Sequence, residues 1–213
     1  MALSTWIAYL IASCLIAVSP GSGAVLSMSH GLAYGVKRTG ATIVGLQLGL
    51  MLILFIAGAG VGSLLLASEM AFSVVKVLGA TYLVYIGWSQ WRAPVVAQSE
   101  DQPVTVAAAG PLSWRKRCAT GFLTNATNPK GIVFMVAVLP QFISDTRPLW
   151  PQLLIIAATT VIVDMVVMHG YALGASAFRR FLRNAQAVKT QNRVFGGILM
   201  AVGTGLYFVK RQA

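Results

Sequence analysis

The chain has 213 residues, 57% hydrophobic and only 10% charged, with a net charge of +11 and a mean hydropathy of +0.75. Soluble domains are about a quarter charged, so an ordinary soluble protein is excluded, and long apolar runs without strict apolar–polar alternation exclude an outer-membrane β-barrel. The basic residues are dispersed between the apolar runs and form no nucleic-acid-binding module, so nucleic acid is excluded as a partner and the positive charge reads as membrane topology.

Apolar runs of roughly 20 residues match the ~30 Å hydrocarbon thickness of a bilayer at the rise of a helix. They predict an all-α integral membrane protein with about six transmembrane helices, over Thr5–Ser29, Gly40–Ala67, Ala71–Trp91, Cys118–Phe142, Trp150–Tyr171 and Val194–Val209. No Lys or Arg precedes the first run, which is too long for a signal-peptide core, so it is expected to stay in the mature protein. Near its middle stands Ser19-Pro20-Gly21-Ser22-Gly23. Proline removes a backbone N–H and clashes with the preceding turn, so the helix is expected to break there, freeing carbonyls on one side and N–H groups on the other. His30 is expected at the membrane interface.

Glycines 31, 35, 40, 45 and 49 lead into the second run at intervals of four or five, spacing that lets another helix backbone approach. Gln47, between Gly45 and Gly49, is a buried amide that needs partners on a neighbouring helix or a ligand. The third run carries Lys76 near one end, and the polar stretch Ala93–Gly110, with Pro94, Pro103 and Glu100-Asp101, reads as a flexible linker.

The fourth run holds Asn125-Ala-Thr-Asn128-Pro129-Lys130-Gly131, again small polar, proline, glycine. A lysine near the midplane costs at least ~2.5–3.5 kcal/mol on insertion scales and persists only beside a partner or a wet cavity. Capping the freed carbonyls is the structural alternative for Lys130. Asp164, in the fifth run, is the only acidic residue inside a span. Among apolar neighbours it needs a cationic partner or a proton, which suits a proton relay or a fixed ion pair with Lys130. His169, shortly after, is expected at the interface, and Trp6, Trp88, Trp91, Trp114 and Trp150 fall at span ends as an aromatic belt. Cys14 and Cys118 have neither metal-ligand nor disulfide spacing, so no metal and no cofactor is expected.

Eleven Lys and Arg lie on one side: Lys37, Arg38, Arg92, Arg115, Lys116, Arg117, Arg179, Arg180, Arg183, Lys189 and Arg193. The positive-inside rule places these loops in the cytoplasm and both termini outside, although Lys210 and Arg211 count against the latter. The chain thus reads as one transporter domain, 1–213, made of two three-helix halves, 1–92 and 118–213, joined by a cytoplasmic linker, 93–117. With three spans each, the halves run in opposite directions. Freed backbone groups are tolerated only against protein or water, and breaks at matching places in two inverted halves point to a transporter's central site, whereas a single such break can be a plain kink. The candidates for substrate contact are Ser19, Pro20, Gly21, Ser22, Gly23, Gln47, Asn125, Asn128, Pro129 and Lys130, with Asp164 for proton coupling.

These motifs, with Leu78-Gly-Ala-Thr-Tyr-Leu-Val-Tyr-Ile-Gly87 and Gly121-Phe-Leu-Thr-Asn-Ala-Thr-Asn-Pro-Lys130 running on to Leu139-Pro-Gln-Phe142, resemble the LysE/RhtB family of amino-acid exporters over nearly the whole chain. That family's first motif usually reads Pro-Gly-Pro and a polar residue; here Ser22 and Gly23 fill the last two places, as in its homoserine/homoserine lactone efflux branch. The resemblance implies a multi-pass protein of the bacterial inner membrane that exports homoserine, its lactone and, further, threonine against protons, with a homodimer left open. Two rivals are a passive channel or scaffold, and an intramembrane hydrolase with Ser22, His169 and Asp164. Asp164 and His169 are five residues apart on one helix, about 500° of rotation, so they do not share a face.

Overall fold

A computed structural model describes residues 1–67, 69–92, 112–144, 146–175 and 185–208. Within them the chain is all α: α1 (Leu3–Val18), α2 (Ser22–Tyr34), α3 (Val36–Ala67), α4 (Glu69–Arg92), α5 (Trp114–Ala126), α6 (Pro129–Val138) with a 3-10 turn at Leu139–Phe142, α7 (Leu149–Leu173) and α8 (Ala185–Phe208).

Two expected spans are each two helices. The first splits at Ser19-Pro20-Gly21 into α1 and α2, bent by 55°. The fourth splits at Thr127-Asn128 into α5 and α6, where Asn128 caps α6 and Pro129 occupies its first turn, the position in which a missing N–H costs nothing. By length and apolarity alone, Val36–Gly60 and Leu149–Leu173 qualify to cross a bilayer, as do α1 and α2 taken together. Pro129–Phe142, made of α6 and its 3-10 turn, is a shorter apolar stretch. The helices also start earlier than the apolar runs, α5 at Trp114, inside the expected linker, and α8 at Ala185 rather than Val194. The outward faces stay apolar, with Val166 and Leu173 each 68% exposed, as a lipid-facing surface requires. Residues 93–111, Arg179, Arg180, Arg183, Lys210, Arg211 and the side chain of Lys76 lie outside the described residues.

Glycine seams set the packing. A Cβ at Gly49 would lie 2.5 Å from the Phe122 carbonyl oxygen, and one at Gly45 or Gly121 would collide with the backbone at Cys118 or Thr42 respectively, so α3 and α5 touch backbone to backbone. Gly87 and Gly196 do the same for α4 and α8, and Gly31 for α2 against Ala172 of α7. A Cβ at Gly35 or Gly40 would meet nothing within 4 Å; Gly35 instead ends α2 with φ +76°. The two most extensive helix contacts, α3 with α5 and α4 with α8, both join the first half to the second, so the halves interlock. A core centred on Tyr9, Leu54, Leu83, Met135, Leu139 and Ile156 draws on α1, α3, α4, α6, α7 and the 3-10 turn.

Candidate functional site

The two breaks meet. Between them lies a cavity of about 70 Å³, several times the ~10–15 Å³ that one water needs. Ser13, Ile16 and Ala17 of α1 line it, with Ser19 and Gly21 of the first break and Gly23 and Ala24 of α2. Asn125, Asn128, Lys130 and Gly131 line it from the second break, Phe134 and Met135 from α6, and Thr160, Asp164 and Met168 from α7.

The first break exposes both of its helix ends. The carbonyls at the end of α1 are met from outside: Lys130 donates from Nζ to the oxygens of Ser19 (2.7 Å) and Ile16 (3.2 Å), and the Tyr171 hydroxyl to that of Val18 (2.6 Å). The start of α2 has no such help. Its N-cap is Gly21, which offers no side chain, and Pro20 before it has no N–H; Val25 makes the first intrahelical bond, to the Gly21 oxygen at 3.0 Å. The N–H groups of Ser22, Gly23 and Ala24 therefore begin the helix without backbone partners from it, and Gly21, Gly23 and Ala24 border the cavity. A Cβ at Gly23 would lie 3.4 Å from Leu46 and 3.6 Å from Asn125 Oδ1, and a side chain there would fill space beside the Asn125 amide.

Asp164 is buried at the cavity wall and accepts a 2.6 Å hydrogen bond from Gln47 Nε2. Lys130 and Asp164 share the cavity but hold different partners, carbonyls for one and an amide for the other, so the fixed ion pair entertained from sequence does not form. Asn125 donates from Nδ2 to the Leu46 carbonyl at 2.9 Å, while the Asn128 side chain accepts from the Lys130 N–H at 3.1 Å. The Ser19 Oγ is buried with no hydrogen-bond partner among the described residues.

Several candidates stand elsewhere. Ser22 is exposed, because the bend turns the first residue of α2 outward, and it does not line the cavity; nor do Pro20 and Pro129. Gln47 sits behind Asp164. His30 is 3% exposed, its Nδ1 2.6 Å from Thr42 Oγ1 and its ring edge-on to Tyr34. His169 Nδ1 faces the Met165 carbonyl on its own helix at 2.8 Å, so Ser22, His169 and Asp164 form no hydrolytic array. Sequence reasoning passed over Ser13 and Thr160, which line the cavity, and Tyr9, whose hydroxyl is 2.5 Å from Thr160 Oγ1. The signal was there: Tyr9, Ser13 and Ala17 recur at four-residue spacing on α1, as do Thr160, Asp164 and Met168 on α7, marking one buried face on each helix.

A profile of the LysE type translocator family matches residues 14–209. The chain belongs to that family. As a LysE type translocator it is a multi-pass membrane protein of amino-acid efflux, with a small amino acid as its substrate. A Vibrio cholerae protein named "Uncharacterized membrane protein" is 40% identical over 95% of this chain and 96% of its own length. The Salmonella typhimurium "Homoserine/homoserine lactone efflux protein" is 39% identical over 95% of this chain and 96% of its own. A Klebsiella pneumoniae "Leucine efflux protein" is 30% identical, over 94% and 93%. No solved structure gives a significant match.

Proposed function

We propose that this LysE type translocator exports homoserine and homoserine lactone, with threonine as a further small neutral substrate, across the bacterial inner membrane in exchange for protons. The observation that carries the reading is the presence of two poles in one cavity. The uncapped start of α2 at Gly21–Ala24 offers N–H groups and the positive end of a helix dipole to a carboxylate. The Asp164 carboxylate, which lines the same cavity, is the pole for an ammonium. A zwitterion of homoserine's size needs both, plus neutral hydrogen-bonding groups for its hydroxyl, which Ser19, Asn125 and Asn128 would supply from the cavity wall. The lactone has no carboxylate and leans on the amides. Salmonella's homoserine/homoserine lactone efflux protein, similar over nearly its whole length, supports the same substrates.

Asp164 carries the exchanged proton in this scheme. Held by Gln47, it alternates between the substrate ammonium and a proton, and the basic loops lie on the cytoplasmic side where substrate enters. Because α3–α5 and α4–α8 pack so extensively, alternating exposure of the cavity works by movement at the first break, whose carbonyl end is held from other helices. The test is counterflow of labelled homoserine, homoserine lactone, threonine and lysine in liposomes, followed by efflux against a concentration gradient under an imposed pH gradient. Homoserine and its lactone are expected to exchange and lysine not. Asp164→Asn is expected to keep exchange but lose uphill efflux; uphill efflux at the wild-type rate would remove Asp164 from the coupling.

A further inference from the structure

One face of α2 carries Gly23, Ser27, His30 and Tyr34, which the helical repeat brings within about 60° of one another. It lies on α3 and α5. Gly23 stands against Leu46 and Asn125, the His30 Nδ1 is 2.6 Å from Thr42 Oγ1, and the Arg117 guanidinium lies over the Tyr34 ring at 5.4 Å from its centroid. Arg117 and Asn125 share one buried face of α5, so this contact runs from the main cavity, which Asn125 lines, to the end of the molecule where Lys37, Arg38, Arg115 and Lys116 are exposed. The contact is polar but unsatisfied. The Ser27 and Tyr34 hydroxyls and the Arg117 Nε are buried with no hydrogen-bond partner among the described residues.

At the opposite end of the cavity, α1 meets α7 through completed pairs. The Trp6 Nε1 donates to Thr159 Oγ1 at 3.1 Å; Thr160 gives its own proton to the Ile156 carbonyl, so the Tyr9 hydroxyl donates to Thr160 Oγ1 at 2.5 Å. The unpaired Gln141 amide at that end stands on the 3-10 turn, not on α1 or α7. Buried polar groups without partners forfeit hydrogen bonds that water would restore, so wetting favours parting the α2 contact and works against parting the α1–α7 pairs. The backbone agrees. α2 runs between the Ser19-Pro20-Gly21 break and Gly35 at φ +76°, with Gly31 against Ala172 of α7 on its other face, whereas glycines lock α3 to α5.

We infer that substrate reaches the main cavity by the parting of α2 from the α3–α5 pair, along Ser27, His30 and Tyr34, and that the protein rests closed at the α1–α7 end. The inference rests on the main cavity being the substrate site. Ser27 is 0% exposed, so the route is shut in this state, with the His30–Thr42 and Tyr34–Arg117 contacts as its latch. When they separate, water satisfies the stranded hydroxyls, and the guanidinium draws a substrate carboxylate inward toward the start of α2.

The test is labelling of single cysteines with a membrane-impermeant cationic methanethiosulfonate, applied to either face of membrane vesicles, in a Cys14→Ala, Cys118→Ala background. Lys37→Cys, at an exposed position, reports which face the basic end occupies. Ser27→Cys is expected to react about tenfold or more faster from that face than from the other, and Thr42→Val, which removes the His30 partner, to speed the reaction further. Thr42→Cys, on the facing wall, carries the test if Ser27→Cys does not fold. Homoserine counterflow in liposomes is expected to stop once the cysteine is labelled. No reaction from the Lys37 face, or counterflow that survives complete labelling, overturns the inference. Face-specific labelling that stops exchange of another amino acid, in a protein that exchanges no homoserine, would uphold the route and sink the homoserine reading instead.

Discussion

The two breaks begin from the same residue pattern and end up chemically opposite. At Asn125–Gly131 the chain closes its own ends: the Asn128 N–H bonds the Asn125 carbonyl at 3.0 Å, the Thr127 N–H and hydroxyl both reach the Leu123 carbonyl, and the Asn128 side chain caps α6. At Ser19–Gly23 the only such local bond runs from the Ser19 N–H to the Leu15 carbonyl at 3.1 Å, since proline has no N–H and neither proline nor glycine has a capping side chain. The carbonyl end is closed by Lys130 and Tyr171 from other helices, and the N–H end is left to the cavity. A self-capped break is a fixed platform, whereas a break capped from elsewhere can exchange its partners for a ligand. Proline tells where a membrane helix is interrupted; the residue before it and the one after decide whether the interruption is already satisfied.

Four substitutions break or sharpen this contrast. The largest effect is expected from Lys130→Met, which keeps most of the side chain but removes the ammonium joining the two breaks. Two charge-assisted hydrogen bonds, each worth about 1.5–3 kcal/mol, disappear, and homoserine counterflow should fall about a hundredfold with a lower melting temperature in detergent. Native melting with native transport would show the link to be dispensable.

Next comes Gly21→Asn, which gives the first break the cap the second already has. Gly21 is extended, at φ −148° and ψ −166°, and a Cβ there would meet Lys130 Cδ at 3.8 Å, an ordinary contact, so the residue fits. Its side chain would take the N–H groups assigned to the carboxylate. Apparent affinity for homoserine should drop about tenfold with no loss of thermal stability. An unchanged affinity would place the carboxylate elsewhere.

Asn128→Ala uncaps the second break, and about 1 kcal/mol of stability is expected to go with a change of under threefold in apparent affinity. A melting curve and a transport KM, taken together, check both halves of that statement. Smallest is Ser22→Ala. With the side chain exposed outside the cavity, stability should hold within about 0.5 kcal/mol and transport within about twofold; a strong transport defect would return Ser22 to the site.

Much of this was readable from residue type. Proline and glycine located both breaks, an intramembrane lysine and aspartate announced a polar interior, and the glycine series correctly meant close packing at Gly31, Gly45 and Gly49. What stayed hidden was rotation and partnership. Whether Ser22 faces the cavity depends on how a 55° bend turns α2, and no local pattern encodes that angle. Gln47 was visible as a buried amide, yet that it would hold Asp164 follows from a contact between residues 117 positions apart. That α3 brings Thr42 against the His30 ring is also a contact no local pattern encodes. The pairing of α4 with α8 likewise joins glycines from opposite ends of the chain.

The glycine seams also bear on how the protein is made. Synthesis delivers α1–α4 to the membrane first, with the grooves at Gly45, Gly49 and Gly87 exposed and their partner helices α5 and α8 not yet translated. The early half must wait with its backbone seams covered only by lipid, and it becomes a closed structure when the later helices zip into them. Two separately expressed pieces, divided within residues 93–111, should therefore be degraded when alone and rescue each other when produced together.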